Sequence, residues 1–425
     1  MPTSTESIQV PYGDRVIGLS LPVGRLKDQA GMSPLRAAPD PGAVVAAALN
    51  APIGSPRLEE IARSSQNVVV VVDDLTRPTP VHLILPGVLE RLHQAGVSNS
   101  AITVLIATGT HRPMSDAELR MKLGGAVVEN YKVVNHDYRR HEDLVQLGNT
   151  PSGIPITINR TVVSADLVIG IGNIVPHRYC GWAGGAKIIQ PGVGGEATIA
   201  ATHLMITKDP GVRLGVVENR VRNEIESVAD LTNLKFIVNT ILDPEARVVD
   251  VVAGDFRKAF REGVEKARAV YTCDLTGQAD VVVASSHPSD LNFWQAGKGL
   301  YAAEMVVSDG GIIVLASPCY EGVGEHGEFV DLLCYDYRTL DRMIADHHVK
   351  DRIGAAAALA VALVKERAEI WLVAQSITDA EARHMQMRRF GDLQAAVDTA
   401  LEIKGPSARV TVLREAAEIV PRLPS

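Results

Sequence analysis

The sequence predicts an α/β fold of two domains, each with a mostly parallel sheet, and a cleft between the domains. Segments typical of strands and of helices alternate along most of the 425 residues, which is the pattern of layered α/β proteins. Several strand segments, such as residues 68–72 (VVVVV), are apolar at every position, as expected for parallel strands covered on both faces. A chain of this length is also expected to form two domains.

The elements of the first domain follow from their apolar periodicity. Weak alternation around a Tyr-Gly-Asp turn predicts a hairpin over residues 8–22. Helices are expected at residues 42–49, 58–62, 80–95 and 115–123, and strands at 68–72, 102–107, 131–134, 156–159 and 167–171. A second hairpin is expected from residues 234–242 and 248–253, followed by an amphipathic helix at 256–271.

The polar segment at residues 272–277 (TCDLTG) predicts the boundary between the domains. We therefore expect an N-terminal domain at residues 1–272 and a C-terminal domain at residues 278–425. The alternation resumes after the boundary and predicts about four parallel strands in the second domain. Its strands are expected at residues 280–284, 311–316, 370–374 and 410–413, and its helices at 290–306, 330–335, 340–346, 353–365 and 391–401.

The composition argues against nucleic acid and membranes as partners. A net charge of -8 without a basic run is not expected of a protein that binds nucleic acid. The longest apolar run, residues 354–364, is too short to span a bilayer, and the N-terminus has no secretion-signal pattern. The four cysteines lack CxxC spacing and are expected to be reduced thiols, which favours the cytoplasm.

The stretch from residue 173 to residue 203 concentrates the unusual chemistry of the chain. Six glycines lie between residues 181 and 195, with Lys187 among them. Glycine lets backbone amides approach a ligand closely, so this pattern favours a site for an anionic group. The glycines expected to bind it are Gly184, Gly185, Gly192 and Gly194. A helix is expected at residues 196–205, with its first amides directed at a phosphate. The alternative is a glycine-rich connection with a solvated lysine.

Three predicted strands of the first domain end in polar residues. Asp74 and Arg77 follow the first strand. His111 and His177 follow the other two. Because ligands of open α/β sheets bind beyond the carboxyl ends of strands, we expect these side chains to converge on one crevice. Taken alone, Asp74 would more simply cap a helix, and Arg77 would pair with a surface acid.

Two histidines on opposite sides of a substrate carbon are what a racemase or an epimerase requires. A proton must be removed and delivered at either face, whereas a hydrolase needs a base on one side only. The other histidine pairs lack the spacing of metal ligands and are expected at the surface; they are His136 with His141, and His347 with His348.

The predicted helix at residues 290–306 carries Trp294, Gln295 and Lys298. Gln295 and Lys298 are three residues apart and hence neighbours on one helical face. A lysine and an amide there would hold a substrate carboxylate at an interdomain cleft, where small-molecule sites usually lie. The alternative has Trp294 in the core and Lys298 in solvent.

These residues together resemble the nickel-dependent lactate racemase family. The matching segments run in the order of the family across both halves of the chain, and their combination is far more specific than any single one. They are DDLTRP at residues 73–78, GTH at 109–111, PH and GWAGGAK within 176–187 with IIQPGVGG behind it, His203, and Gln295 with Lys298.

The resemblance implies a nickel-pincer nucleotide, a pyridinium mononucleotide with two sulfur-containing arms, as the cofactor. Lys187 matches the lysine that carries it covalently, and the glycines around it would bind its phosphate. His203 matches the protein ligand of nickel, and the implied planar coordination suits Ni(II). Asp74 would position Arg77 or a cofactor hydroxyl. Proteins that synthesise the cofactor and insert nickel are implied as partners.

The resemblance also implies how the substrate is bound and inverted. His111 and His177 match the acid/base pair, which handles the proton of the 2-hydroxyl while hydride leaves C2 and returns to the other face. Arg77 and Lys298 would hold the substrate carboxylate or the polarised oxygen, and Gln295 would help to orient it.

The resemblance leaves the substrate open. Trp294 stands where lactate enzymes are associated with a tyrosine, and Arg178 directly follows His177. A larger or more polar 2-hydroxy acid, including a sugar acid epimerised at C2, is therefore an alternative to lactate.

Two other classes of function compete with a racemase. A zinc hydrolase would use His111, His177 and His203, but the chain has no HxxxH or CxxC pair and Lys187 would have no role. A non-catalytic carboxylate-binding protein would need neither Lys187 nor His203.

Overall fold

The structure is a computed structural model of the chain and describes residues 4–207, 212–324 and 327–424. The chain divides into two compact units. The first unit comprises residues 34–270, and the second unit comprises the residues up to 33 together with those from 271 onward. Both units combine helices with a mostly parallel sheet, which confirms the predicted fold class.

The elements follow one another in the alternation that the sequence predicts. Three strands of the second unit come first: β1 (Thr5–Tyr12), β2 (Arg15–Pro22) and β3 (Leu26–Ala30). The elements of the first unit are α1 (Pro41–Asn50), α2 (Leu58–Ile61), β4 (Val68–Asp73), α3 (Val81–Gln94), β5 (Ile102–Ala107), α4 (Asp116–Leu123), α5 (Gly125–Asn130), β6 (Lys132–Asn135), β7 (Leu144–Asn149), β8 (Pro155–Asn159), α6 (Arg160–Val163), β9 (Leu167–Asn173), β10 (Pro176–His177), β11 (Gly181–Trp182), α7 (Glu196–His203), α8 (Arg220–Asp230), β12 (Leu234–Leu242), β13 (Val248–Gly254) and α9 (Lys258–Tyr271).

The second unit continues the alternation to the end of the described chain. Its elements are β14 (Thr272–Asp274), β15 (Ala279–Ser285), α10 (Phe293–Ala296), α11 (Lys298–Val306), β16 (Val307–Ala316), α12 (Phe329–Leu332), α13 (Tyr337–Ala345), α14 (Arg352–Arg367), β17 (Ala368–Val373), α15 (Asp379–His384), β18 (Arg388–Phe390), α16 (Leu393–Lys404), β19 (Val410–Leu413) and β20 (Val420–Arg422). Among the described residues, no helix has both the length and the hydropathy needed to cross a membrane.

The sheet of the first unit has six strands in the order β13-β12-β9-β4-β5-β6. All neighbouring strands are parallel except β13, which runs antiparallel to β12. Strand β4 is buried along its whole length, and α1 and α3 contribute Val45, Leu49 and Val88 to the same core. Burial along its length explains why β4 is an uninterrupted apolar run rather than an alternating one.

The sheet of the second unit also has six strands, in the order β18-β17-β16-β15-β19-β3, all parallel. The expected number of about four was therefore too low. The prediction missed β18, which has only three residues, and β3, which comes from the start of the chain.

The first 33 residues correct the predicted domain boundaries. The sequence places residues 1–272 in one domain, but β3 is hydrogen-bonded to β19, and the β1–β2 hairpin adds Ile8, Val10 and Leu19 to the core of the second unit. This pairing joins segments nearly the whole chain apart, and no local pattern in the sequence signals such a contact.

Two predicted elements differ from those observed. The strand expected at residues 156–159 forms an antiparallel hairpin with β7 and takes no part in the main sheet. The helix expected at residues 290–306 begins later and is divided into α10 and α11 at Gly297. Glycine weakens a helix interior, which accounts for the break.

The strand order of the first sheet reverses direction between β4 and β9. The chain proceeds from β4 to β5 and β6 on one side, and from β9 to β12 and β13 on the other. The crevice beyond the carboxyl ends of the two strands at such a reversal is where ligands of open α/β sheets bind. These ends carry Asp74 after β4 and the segment to His177 after β9.

Candidate active site

The turn after β4 is anchored by a buried ion pair. Asp73 lies 3.0 Å from Lys122 Nζ of α4 and accepts a hydrogen bond of 2.5 Å from Thr79 Oγ1. Burial raises the pKa of Asp73, while Lys122 and Thr79 act in the opposite direction. The Lys122 ammonium also donates to the Arg77 carbonyl at 2.8 Å. The turn that carries Asp74 and Arg77 is therefore fixed from inside the protein.

Asp74 holds His111. Its Oδ2 lies 2.7 Å from His111 Nδ1, and its Oδ1 accepts hydrogen bonds from the amide and the hydroxyl of Thr76, at 3.1 and 2.7 Å. Burial alone would raise the pKa of Asp74, but His111, Thr76 and the charge of Arg77 together hold it well below its usual range. An ionised carboxylate only accepts hydrogen bonds, so Nδ1 of His111 carries the proton. The expected role of Asp74 toward Arg77 or a cofactor hydroxyl remains a prediction.

His177 lies on a tight hairpin formed by β10 and β11, in which it pairs with Gly181. The backbone amide of Tyr179 donates to His177 Nδ1 at 3.3 Å, and Cys180 Sγ lies 3.5 Å from the same nitrogen. Gly181 has a φ of 73°, and a Cβ there would lie 1.8 Å from the carbonyl oxygen of Val216. Only glycine at position 181 permits this hairpin, and the hairpin fixes the position of His177.

Tyr179 connects the regions of His177 and His203. The ring centroids of Tyr179 and His177 are 5.5 Å apart, and those of Tyr179 and His203 are 4.7 Å apart. His203 ends α7, and its Nδ1 lies 2.8 Å from the carbonyl oxygen of Ile199 one turn earlier. Because a carbonyl can only accept, Nδ1 carries the proton and the lone pair lies on Nε2. The sequence did not single out Tyr179, although it lies between the two matched motifs.

Lys187 lies on a short turn of 3-10 helix, Gly185–Ile188, and is half-buried. Burial lowers its pKa from the usual 10.5 to about 8, with further lowering by the positive charges of Arg77 and Arg222. Cys180 and Asp74 act in the opposite direction. An amine with this pKa is about half neutral at pH 8, against about 0.3% for an ordinary lysine, so Lys187 is a competent nucleophile near neutral pH.

Arg222 is a second buried cation near Lys187. It is fully buried, donates to the carbonyl oxygens of Gly184 and Trp182, and lies over the ring of Phe260 at 4.1 Å. Within the described residues, no carboxylate forms an ion pair with it at 4.0 Å or less. The segment before Lys187 is thus held by an arginine whose charge is not directly neutralised, and an anionic group would be stabilised in this region.

The four glycines predicted to cradle a phosphate are closely packed against the protein itself. They are Gly184, Gly185, Gly192 and Gly194. A Cβ at Gly192 would lie 2.1 Å from the carbonyl oxygen of Ile188, and one at Gly184, where φ is 96°, would lie 2.9 Å from a side-chain carbon of Ile174. Backbone packing therefore accounts for the glycines, and binding of a phosphate remains a prediction.

His136 corrects one sequence-based expectation. It is buried rather than exposed, with Nε2 2.9 Å from the carbonyl oxygen of Gly194 and Nδ1 3.1 Å from the amide nitrogen of Asn159. Burial lowers its pKa. His136 is therefore a neutral structural residue that supports the loop before α7.

The second unit brings Gln295 and Lys298 together, as their spacing predicts. Lys298 Nζ donates a hydrogen bond to Gln295 Oε1 across the break at Gly297. Trp294 is half-buried, with its ring edge-on to Phe329 at 5.0 Å. These three residues lie after the carboxyl end of β15, in the segment that the sequence assigned to substrate binding.

The site residues of the first unit form one connected group. Asp74 is hydrogen-bonded to His111, and Cys180 contacts His177. The charges of Asp74 and Cys180 both raise the pKa of Lys187. Tyr179 extends the group to His203. Among the described residues, no three His, Cys, Asp or Glu side chains are grouped as ligands of one metal ion.

Comparison with known proteins gives the same assignment over both halves of the chain. Residues 12–215 match the family model of the lactate racemase N-terminal domain, and residues 275–420 match that of the lactate racemase C-terminal domain. A lactate racemase of Thermoanaerobacterium thermosaccharolyticum is 35% identical over 329 residues, which are 76% of each chain. One of Lactiplantibacillus plantarum is 30% identical over 424 residues, covering 97% of this chain and 99% of that one.

Solved structures agree with these matches. The structure of the lactate racemase apoprotein from T. thermosaccharolyticum is similar with a TM-score of 0.89 at 30% identity, over 98% of this chain and 100% of that one. A Thermotoga maritima protein shares the fold, with a TM-score of 0.71 at 20% identity over 88% of this chain and 100% of that one. The chain belongs to the lactate racemase family and is an isomerase.

Proposed function

We propose that this enzyme inverts C2 of a 2-hydroxy acid, lactate or a lactate-like acid, with His111 and His177 as its acid/base pair. The observation that carries the proposal is their position after β5 and β9, the two strands that flank β4 in one sheet, with both linked to the surroundings of Lys187. Two histidines are needed because the substrate hydroxyl changes sides when C2 is inverted. The relatives named lactate racemases support the same reaction class.

We infer that a nickel-pincer nucleotide is bound covalently at Lys187, and two observations fit such a group. Lys187 has a pKa of about 8, so its amine is available as a nucleophile, and the charges of Arg77 and Arg222 suit an anionic nucleotide. His203 donates its Nδ1 proton to a backbone carbonyl, as metal-ligating histidines commonly do, and thereby keeps its Nε2 lone pair for nickel. When bound, the cofactor would supply reversible hydride acceptance from C2.

The residues of the chain would supply orientation and proton transfer. His111 Nε2 takes the hydroxyl proton on one side of the substrate, and His177 returns a proton on the other. Arg77 holds the carboxylate or the polarised oxygen, and Lys298 with Gln295 remains a predicted substrate-binding pair. The contact between Lys298 and Gln295 presets the amide toward the ammonium, which lowers the entropy lost on binding.

A second candidate function keeps the cofactor but changes the substrate to a larger acid, such as a sugar acid epimerised at C2. Trp294 favours it, because an indole packed against Phe329 replaces the hydroxyl that a tyrosine would offer. Arg178 adds a cation next to His177, with its Nη1 3.2 Å from the carbonyl oxygen of Val212. A panel of enantiopure 2-hydroxy acids, followed for inversion at C2, separates lactate from larger acids.

The cofactor proposal is tested on enzyme that is co-expressed with the proteins that synthesise the cofactor and insert nickel. We propose that these proteins are its partners and that the enzyme acts in the cytoplasm. Intact mass should reveal a nucleotide-sized adduct, and metal analysis about one nickel per chain. Lys187→Ala should lose adduct and activity.

Lys365 is a matched control, because burial lowers its pKa to about 8 too, while its amine donates to two carbonyls. Lys365→Ala should keep the adduct. Activity in Lys187→Ala would refute the tether, and zinc without an adduct would favour a hydrolase.

A further inference from the structure

The two proposed catalytic histidines have opposite hydrogen bonds at the same ring nitrogen. Nδ1 of His111 faces a carboxylate, which only accepts. Nδ1 of His177 faces a backbone N–H, which only donates. A neutral imidazole has one protonated and one unprotonated nitrogen, so the partner of Nδ1 determines the state of Nε2.

For His111, the partner is ionised and buried. Asp74 is 4% exposed, and its depressed pKa keeps it ionised throughout the neutral range. The proton of neutral His111 is therefore on Nδ1, and its lone pair is on Nε2. If Nε2 then takes a second proton, the resulting imidazolium remains hydrogen-bonded to the carboxylate, which stabilises it.

For His177, the partner is a backbone amide that cannot reverse its role. The Tyr179 N–H donates to Nδ1 at 3.3 Å. Cys180 Sγ lies 3.5 Å from the same nitrogen, but its thiol donates to the carbonyl oxygen of Trp182 at 3.1 Å. The proton of neutral His177 is therefore on Nε2. Adding a second proton at Nδ1 of His177 would break the bond from Tyr179, whereas a second proton on His111 would go to Nε2 and leave its bond to Asp74 intact.

We propose that Asp74 and the Tyr179 amide assign opposite resting tautomers to the two histidines, so that His111 presents a lone pair at Nε2 and His177 presents a proton at Nε2. Asp74 is thus a positioning residue for His111. The roles in turnover rest on the proposed function, whereas the two tautomers do not. The resting enzyme is then prepared for the substrate enantiomer whose hydroxyl faces His111, and the other enantiomer requires the proton positions to be exchanged first.

The tautomers are measured directly by NMR of the full-length, cofactor-free chain with 15N-labelled histidine over a series of pH values, and the spectra in which a ring is neutral give its tautomer. The structure supplies two internal references: His203 for the Nδ1–H tautomer and His136 for the Nε2–H tautomer. Loss of a signal in His111→Gln and in His177→Gln identifies the signals of these two rings among those of the twelve histidines. We expect the Nδ1–H tautomer for His111 and the Nε2–H tautomer for His177. The same tautomer in both rings would overturn the proposal, whatever the enzyme's reaction.

Asp74→Asn tests the consequence for turnover. Both donors of Thr76 are directed at Oδ1 of Asp74, so the amide oxygen of Asn would stay there and its NH2 would face His111. Nδ1 of His111 must then accept, and its proton moves to Nε2. We expect the NMR signal of His111 to change tautomer and kcat to fall about 10³–10⁴-fold, as for a catalytic histidine in the wrong tautomer. The adduct and nickel should remain.

The control is Asp250→Asn, a carboxylate-to-amide change at a residue paired with Lys266, which should keep both tautomers and full activity. Asp74→Glu should restore the Nδ1–H tautomer in part and recover some turnover. If Asp74→Asn changes the tautomer but leaves kcat unchanged, the assignment of His111 as the base is wrong. If the wild-type protein shows both expected tautomers but forms no adduct, the cofactor proposal fails and the tautomer assignment stands.

Discussion

Replacing Lys187 with methionine should make the cofactor-free protein more stable, because the burial that activates this amine also destabilises its charged form. The pKa falls from 10.5 to about 8. At ~1.36 kcal/mol per pH unit, this corresponds to about 3 kcal/mol of unfolding free energy. Lys187 is only half-buried, and solvent screening reduces the effect to ~1–3 kcal/mol. Lys187→Met keeps a similar apolar stem and removes the charge.

The stabilisation should depend on pH in a defined direction. The folded-state pKa lies below the unfolded one, so the destabilisation by Lys187 is complete below about pH 8 and disappears as the pH rises toward 10.5. Urea unfolding of cofactor-free wild type and Lys187→Met, followed by circular dichroism, should show the largest difference at pH 7 and almost none near pH 10.5.

Lys122→Met is the matched control, because it makes the same substitution at a lysine with a carboxylate partner. It leaves Asp73 buried without its cation and should lower the free energy of unfolding by ~3–5 kcal/mol. Opposite signs for the two variants are the expected result. If Lys187→Met is destabilised at pH 7, or its effect does not change between pH 7 and 10.5, the reasoning about the buried amine is wrong.

Three further predictions concern the loaded enzyme. His203→Ala should keep the adduct on Lys187 in the intact mass but lose nickel in metal analysis; retained stoichiometric nickel would contradict its role as ligand. His111→Ala and His177→Ala should each keep adduct and nickel while kcat falls about 10²–10⁴-fold, measured by chiral analysis of product; wild-type rates in either would remove that histidine from the mechanism. Trp294→Tyr should raise kcat/KM for lactate relative to larger 2-hydroxy acids, and an unchanged ratio would show that residue 294 does not select the substrate.

Most strands and helices of the first unit could be predicted because their apolar periodicity is a local property. The residues that complete the site were harder to find. Lys122 lies among charged residues of a short helix and has the sequence context of a solvated lysine, yet its ammonium lies 3.0 Å from Asp73. Tyr179 and Arg222 carry no motif of their own. Their importance comes from contacts with His203 and with the segment before Lys187, which depend on distant parts of the chain.

The sequence by itself determined the chemical inventory: an amine among glycines, three histidines and a lysine with an amide, in the order of one family. The chemistry of each side chain and the family motifs depend only on the order of the residues, so they can be recognised without coordinates. Only the tertiary structure decided which partner each group has. Hydrogen bonds and burial depend on residues that are distant in the chain, such as Asp74 and His111, 37 positions apart. Those contacts set the pKa of Lys187 and the tautomer of His111, and thereby the roles open to them.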